Sequence, residues 1–109
     1  YQINQPLSLR ANIGWDADVV AVMLDLSQEG MAISTNYDIP VSTIILMKFT
    51  LINLEAQGDE RIKSIKITGE VKSNILIGKN EHRLGIHFTQ IAERDKNAIT
   101  EFVKTTSLK

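Results

Sequence analysis

A chain of 109 residues can bury one core, and a second independently folding unit would find too little apolar surface left to bury. Hydrophobic residues at 43% and charged residues at 23% place it in the globular range and exclude a disordered or low-complexity chain. Twelve Lys and Arg against 13 Asp and Glu leave a net charge of −1, which argues against DNA or RNA as partners; the absence of cysteine removes disulfides, thiolate metal sites and thiol nucleophiles and favours a cytoplasmic address.

The longest apolar run, residues 19–24, is far short of the roughly 20 residues of a membrane-spanning helix, and no signal-peptide pattern opens the chain. No transmembrane segment is expected. The first residue is Tyr1 rather than methionine, so residues 1–109 read as a single domain cut from something longer.

Apolar residues recur at every second position over most of the length, which predicts strands. Leu7, Leu9, Ala11 and Ile13 form one face; Gly14, Asp16 and Asp18 supply turn chemistry; Val20, Val22, Leu24 and Leu26 resume the alternation, giving a hairpin over residues 6–26. After a turn at residues 27–30, a short strand over residues 31–35 breaks at residues 36–40, where Pro40 lacks a backbone donor. Ile45, Met47, Phe49 and Leu51 share one face of a fourth strand, and residues 55–61, with Gly58 and Asp59, are predicted to form a mobile loop.

A long strand follows, with Ile65, Ile67, Gly69, Val71, Ser73, Ile75 and Ile77 in one phase and Lys63, Lys66, Glu70 and Lys72 as solvated positions; Gly69 predicts a bend or bulge. Beyond a turn at residues 78–81, Leu84, Ile86 and Phe88 line the last strand. The period then changes. Ala98, Ile99, Phe102 and Val103 form a helical stripe within residues 93–105, with Glu93 and Asp95 near its start and Lys104 near its end to suit the helix dipole. The expected fold is mainly β, a six-stranded antiparallel barrel with one C-terminal α-helix.

Catalytic and metal readings are weak. His82 and His87 are five positions apart on one strand, so their side chains leave opposite faces and cannot share a metal. Asp25, Ser27 and His87 have the residue types of a hydrolytic triad, yet no nucleophile elbow is present and two of them fall in one short turn. Asp16 and Asp18 lack the twelve-position calcium loop, and Trp15 reads as a cover for a barrel end rather than a base-stacking platform.

One motif stands out: Asp25-Leu26-Ser27-Gln28-Glu29-Gly30, of the form DxSxxG, between two strands. Such a turn sets a carboxylate beside a hydroxyl, its glycine supplies a positive φ or lets a planar ligand approach the backbone, and the carboxylate suits the paired N–H donors of a guanine edge. Here the sequence resembles the PilZ domain family, bacterial receptors for cyclic di-GMP. Pro6-Leu7-Ser8-Leu9 resembles the family's first strand, residues 25–33 its signature turn and next strand, and Arg83-Leu84-Gly85-Ile86-His87-Phe88 its last strand, so the resemblance spans essentially the whole chain.

The resemblance implies a six-stranded barrel with a C-terminal helix, no catalysis, no cofactor, and cyclic di-GMP held between the signature turn and an N-terminal RxxxR segment. Asp25, Ser27 and Gly30 carry over as ligand-binding positions. No RxxxR occurs in the sequence, and Arg10 lies inside the first strand. Counted back from Pro6, the commoner family spacing puts the second arginine immediately before Tyr1, while a shorter one puts Gln2 in its place. The expectation is therefore a receptor fragment that lacks its upstream arginine segment, binds nucleotide weakly alone, and signals through another domain or protein of a motility, polysaccharide-synthesis or pilus system. The alternative is a degenerate PilZ-like adaptor that binds no nucleotide. As exposed turn residues, Asp25 and Ser27 are expected to matter little to stability.

Overall fold

The computed structural model describes residues 2–52 and 62–107, so the loop expected at residues 55–61 lies outside the described residues. Six strands, β1 (Gln2–Ala11), β2 (Val19–Leu26), β3 (Gly30–Thr35), β4 (Ile44–Ile52), β5 (Ile62–Gly78) and β6 (Glu81–Ile91), precede one helix, α1 (Glu93–Ser107). The strands close into an antiparallel barrel in the order β1-β2-β3-β6-β5-β4. This is the mainly β, six-stranded barrel with a C-terminal helix that the alternation implied.

Strict period-two segments fill the core. Ile45, Met47, Phe49 and Leu51 of β4 are buried, as are Leu84, Ile86 and Phe88 of β6 and Leu7, Leu9 and Ala11 of β1. Helix α1 lies over β4 and β5, burying Ile99 and Phe102. In its first turn the buried Asp95 accepts the Lys66 amide at 3.3 Å, which anchors the helix start to β5. No helix among the described residues is long and apolar enough to cross a membrane.

Three faces depart from the simple alternation. Ile13 lies in the β1–β2 turn and is exposed rather than continuing the β1 face. In β2 the inward residues are Ala21 and Met23, with Val20 74% exposed; a bulge after Met23 (Met23↔Ile33, then Asp25↔Ala32) shifts the phase so that Leu26 again points inward. The distal part of β5 outruns the barrel: β4 pairs with it only as far as Glu70, and Ile75 and Ile77 are exposed. Gly69 does sit at a register shift, between Thr68 and Gly69.

At the end of the barrel away from the DxSxxG turn, long-range side-chain links join the loops. The Asn74 amide donates to Asp38 Oδ1 at 2.8 Å and to the Ile39 carbonyl at 2.9 Å, so its oxygen accepts from His82 Nδ1 at 2.9 Å. Ile39, thus held, is fully buried and plugs the barrel. Trp15 packs against Tyr37, ring centroids 5.1 Å apart, covering the same end as its loop position implied.

Candidate functional site

The DxSxxG turn forms the β2–β3 connection. The Ser27 hydroxyl accepts the Gly30 amide at 3.2 Å and the Glu29 amide at 3.4 Å and donates to the Gly30 carbonyl at 3.1 Å, which also receives the Ser27 N–H at 2.9 Å. The serine therefore closes its own turn, as serine hydroxyls do where backbone groups would otherwise lack partners. Asp25 Oδ1 accepts the Ala32 amide at 2.9 Å across the bulge, and Oδ2 meets Arg83 at 3.3 Å. Its carboxylate remains 40% exposed, so lone pairs are left for a ligand.

Gly30 is needed for a different reason from the one its place in the motif suggested. It is absent from the positive-φ glycines, of which Gly14 alone is found among the described residues. Instead, β3 approaches β6 so closely that a Cβ at Gly30 would stand 2.2 Å from the Ile86 carbonyl oxygen. Close strand approach, rather than a left-handed backbone, excludes a side chain.

These residues edge an open groove of about 370 Å³ lined by the turn, Ala32, Gly85, Lys72 and His87. Gly30, Met31 and Ile86 complete its lining. A second depression, of about 510 Å³, is lined by Ile3, Asn4, Leu24, Asp25 and Arg83. Asp25 is thus the ridge between the two, and Gln2 is its register partner on β1. The structure brings Asp25, Ser27 and Gly30 together, as their spacing required.

His87 also reaches this groove, yet among the described residues no hydrogen bond joins it to Ser27 or Asp25, whose polar atoms are engaged elsewhere. His82 is turned to Asn74. No group of three His, Asp or Glu suited to a metal is found among the described residues. Asp18 is bound by Arg10 at 2.8 Å and Ser8 at 3.1 Å, with Lys48 at 3.9 Å. Desolvation acts to raise its carboxyl, but the hydrogen bonds from Ser8 and Arg10 and the charges of Arg10 and Lys48 outweigh it and hold the group below its ordinary value.

Glu70, Lys72, Arg83 and His87 were not legible as site residues. Lys72 and Glu70 look like ordinary solvated positions on β5, and only the β5–β6 register, with its shift between Val71 and Ser73, sets Lys72 beside the turn.

A model of the PilZ domain matches residues 1–105. No curated protein sequence matches the chain. Among solved structures, the Bacillus subtilis inhibitor of motility MotI/DgrA superposes with a TM-score of 0.78 at 11% identity, over 99% of this chain but 49% of that one. This chain thus spans about half the length of that protein. The PilZ domain of CeSA from a cellulose-synthesizing bacterium superposes with a TM-score of 0.62 at 15% identity, over 98% of this chain and 96% of that one. With the closed six-stranded barrel, the C-terminal helix and the DxSxxG turn at the β2–β3 connection, the match over nearly the full length establishes that the chain belongs to the PilZ domain family.

Proposed function

We propose that this domain is a non-catalytic cytoplasmic receptor for cyclic di-GMP, with Asp25, Ser27 and Gly30 as ligand contacts and no cofactor. The observation that carries the reading is the placement of the signature turn on an open groove, with the Asp25 side chain still accessible beside it. An exposed carboxylate accepts from the guanine N–H donors, and Gly30 keeps the turn seated against β6 at the edge of the groove. The phosphates of the ligand need cations, and RxxxR arginines contributed from outside residues 1–109 would supply most of them. Because Gln2 pairs with Asp25, a segment preceding β1 would enter beside the turn.

A non-catalytic receptor signals by changing how it meets another domain or protein, which requires that ligand bind one arrangement better than the other. The similarity to an inhibitor of motility and to a domain from a cellulose-synthesizing bacterium supports a motility or polysaccharide-synthesis partner, with pilus systems as the third class. Calorimetric titration of the natural full-length protein with cyclic di-GMP tests the reading. Micromolar or tighter binding that falls at least tenfold with Asp25→Ala is expected. The absence of RxxxR in residues 1–109 favours a second reading, an adaptor without nucleotide; no binding by the full-length protein would select it.

A further inference from the structure

The charges around the groove are poorly matched to a dianion as they stand. Asp25 and Glu29 line it from the turn, against Lys72 in the groove and Arg83 in the neighbouring depression, while Glu70 on β5 lies directly opposite the groove residue His87 across the β5–β6 ladder. Each cation is already occupied: Arg83 lies on Asp25 at 3.3 Å and Lys72 on Glu70 at 3.2 Å. The two pairs differ in what they do. Arg83 holds a carboxylate that also anchors the Ala32 amide, whereas the Lys72–Glu70 pair joins neighbouring residues on the outward phase of one strand.

Lys72 is also the residue that the β5–β6 register skips. Val71 pairs with Ile86 and Ser73 with Gly85, so Lys72 has no direct partner on β6. A bulge of this kind re-aims its extra side chain, here toward the groove that Lys72 lines. Gly85, which also lines the groove, is held to glycine by the strand across from it, since a Cβ there would meet Ser73 Oγ at 2.5 Å. The Lys72 side chain is 56% exposed, and exposed ion pairs hold their partners weakly, so exchange of one anion for another is cheap.

We infer that Lys72 is this chain's own phosphate contact and that Glu70 is its built-in competitor: ligand binds when the Lys72 ammonium leaves the Glu70 carboxylate for a phosphate oxygen. The inference rests on the cyclic di-GMP reading. It makes Glu70 a restraint on affinity, acting both by holding Lys72 and by repelling the phosphate.

The test is calorimetric titration of the full-length protein with cyclic di-GMP, using Lys72→Ala, Glu70→Gln, the double variant and Lys72→Arg, with melting temperatures as the check on folding. Lys72→Ala should weaken binding about tenfold, Lys72→Arg should retain it, and Glu70→Gln should tighten it about threefold or more. In the Lys72→Ala background the gain from Glu70→Gln should fall below about twofold, since the competitor has lost its object. If Lys72→Ala binds like the wild type while Asp25→Ala abolishes binding, Lys72 is a bystander and the inference fails with the receptor reading intact. If Glu70→Gln weakens binding, Glu70 orients Lys72 rather than competing for it, which also overturns the inference. A wild-type protein that binds no cyclic di-GMP removes both.

Discussion

The two ends of the barrel are held by different means. At the signature end, Ser27 bonds to residues within its own four-residue turn, while Asp25 bonds to the strand that follows it and, with the Glu29 carbonyl, to β6 through Arg83 and the Phe88 amide. At the opposite end, Asn74 reaches back more than thirty residues to Asp38 and Ile39, and Trp15 meets Tyr37 from another loop. A turn that closes on itself keeps its shape while the surrounding surface is left free for a ligand. Loops tied across the chain instead stabilise the barrel and leave little to rearrange. Ligand recognition and barrel closure are therefore separable, and substitution can show how far.

The largest effect is expected where the two functions share one residue. Gly30→Val drives a branched side chain into the Ile86 carbonyl, which is backbone and cannot rotate away. It should cost about 3 kcal/mol or more, read as a lowered denaturation midpoint, and abolish nucleotide binding as well. Asn74→Ala should come next, at about 2 kcal/mol, because it removes two donated bonds and leaves His82 Nδ1 without its acceptor. If the ends are separable, its affinity for cyclic di-GMP stays within about twofold of wild type. A larger loss would join the two ends into one unit.

Asp25→Ala sharpens the comparison from the other side. The bond from the Ala32 amide and the Arg83 pair give Asp25 a structural share absent from its reading as an exposed turn residue, and about 1 kcal/mol of destabilisation is expected. Ser27→Ala should cost less, about 0.5 kcal/mol, since water can reach the amides it frees. Thermal melts of both variants would rank them. The smallest effect concerns Asp18. A carboxyl held below its ordinary value of 3.8 contributes stability above that value and loses it as pH falls through the lower folded value. Wild type and Asp18→Asn should thus differ in Tm at pH 7, with the difference shrinking as pH is lowered below the ordinary carboxylate value.

What could be read from the sequence follows the range of the interactions involved. β4 and the buried part of β6 were legible because inward and outward positions alternate without interruption and both flanking strands agree with them. The DxSxxG turn was legible because the bonds of Ser27 lie within the motif, whereas the bonds of Asp25 to Ala32 and Arg83 lie outside it and were not. Val20 and Val22 were misassigned because a single bulge after Met23 reverses the phase, and a run of six apolar residues offers no local mark of which phase faces in. Ile75 and Ile77 stay in the phase of Ile65 and Ile67 beyond the point where β4 stops, so period alone cannot report that the core has ended. The same limit hid the reason for Gly30, whose neighbour Ile86 is remote in sequence, and the roles of Lys72 and Glu70, which depend on register across β6.

The seam that closes the barrel is short. β1 pairs with β4 only from Ser8 to Ala11, and Ser8 meets Lys48 about 40 residues later in the chain. The β5–β6 hairpin, by contrast, joins neighbours across a tight turn with Asn80 at φ 58°. In folding, the hairpin forms at little loop-closure cost, whereas the β1–β4 seam must wait for the strands between to be ordered. Along β1, residues 2–7 pair with β2 but not with the β4 backbone, although the Gln5 side chain donates to the Thr50 carbonyl. Amide protons there are expected to exchange with solvent ahead of those in the seam, which native-state hydrogen exchange would read. The stretch of β1 that leads to Asp25 thus has a paired strand on one side only, so a movement at Asp25 meets fewer backbone bonds there than at the seam, while Leu7 keeps the inner end of the stretch in the core.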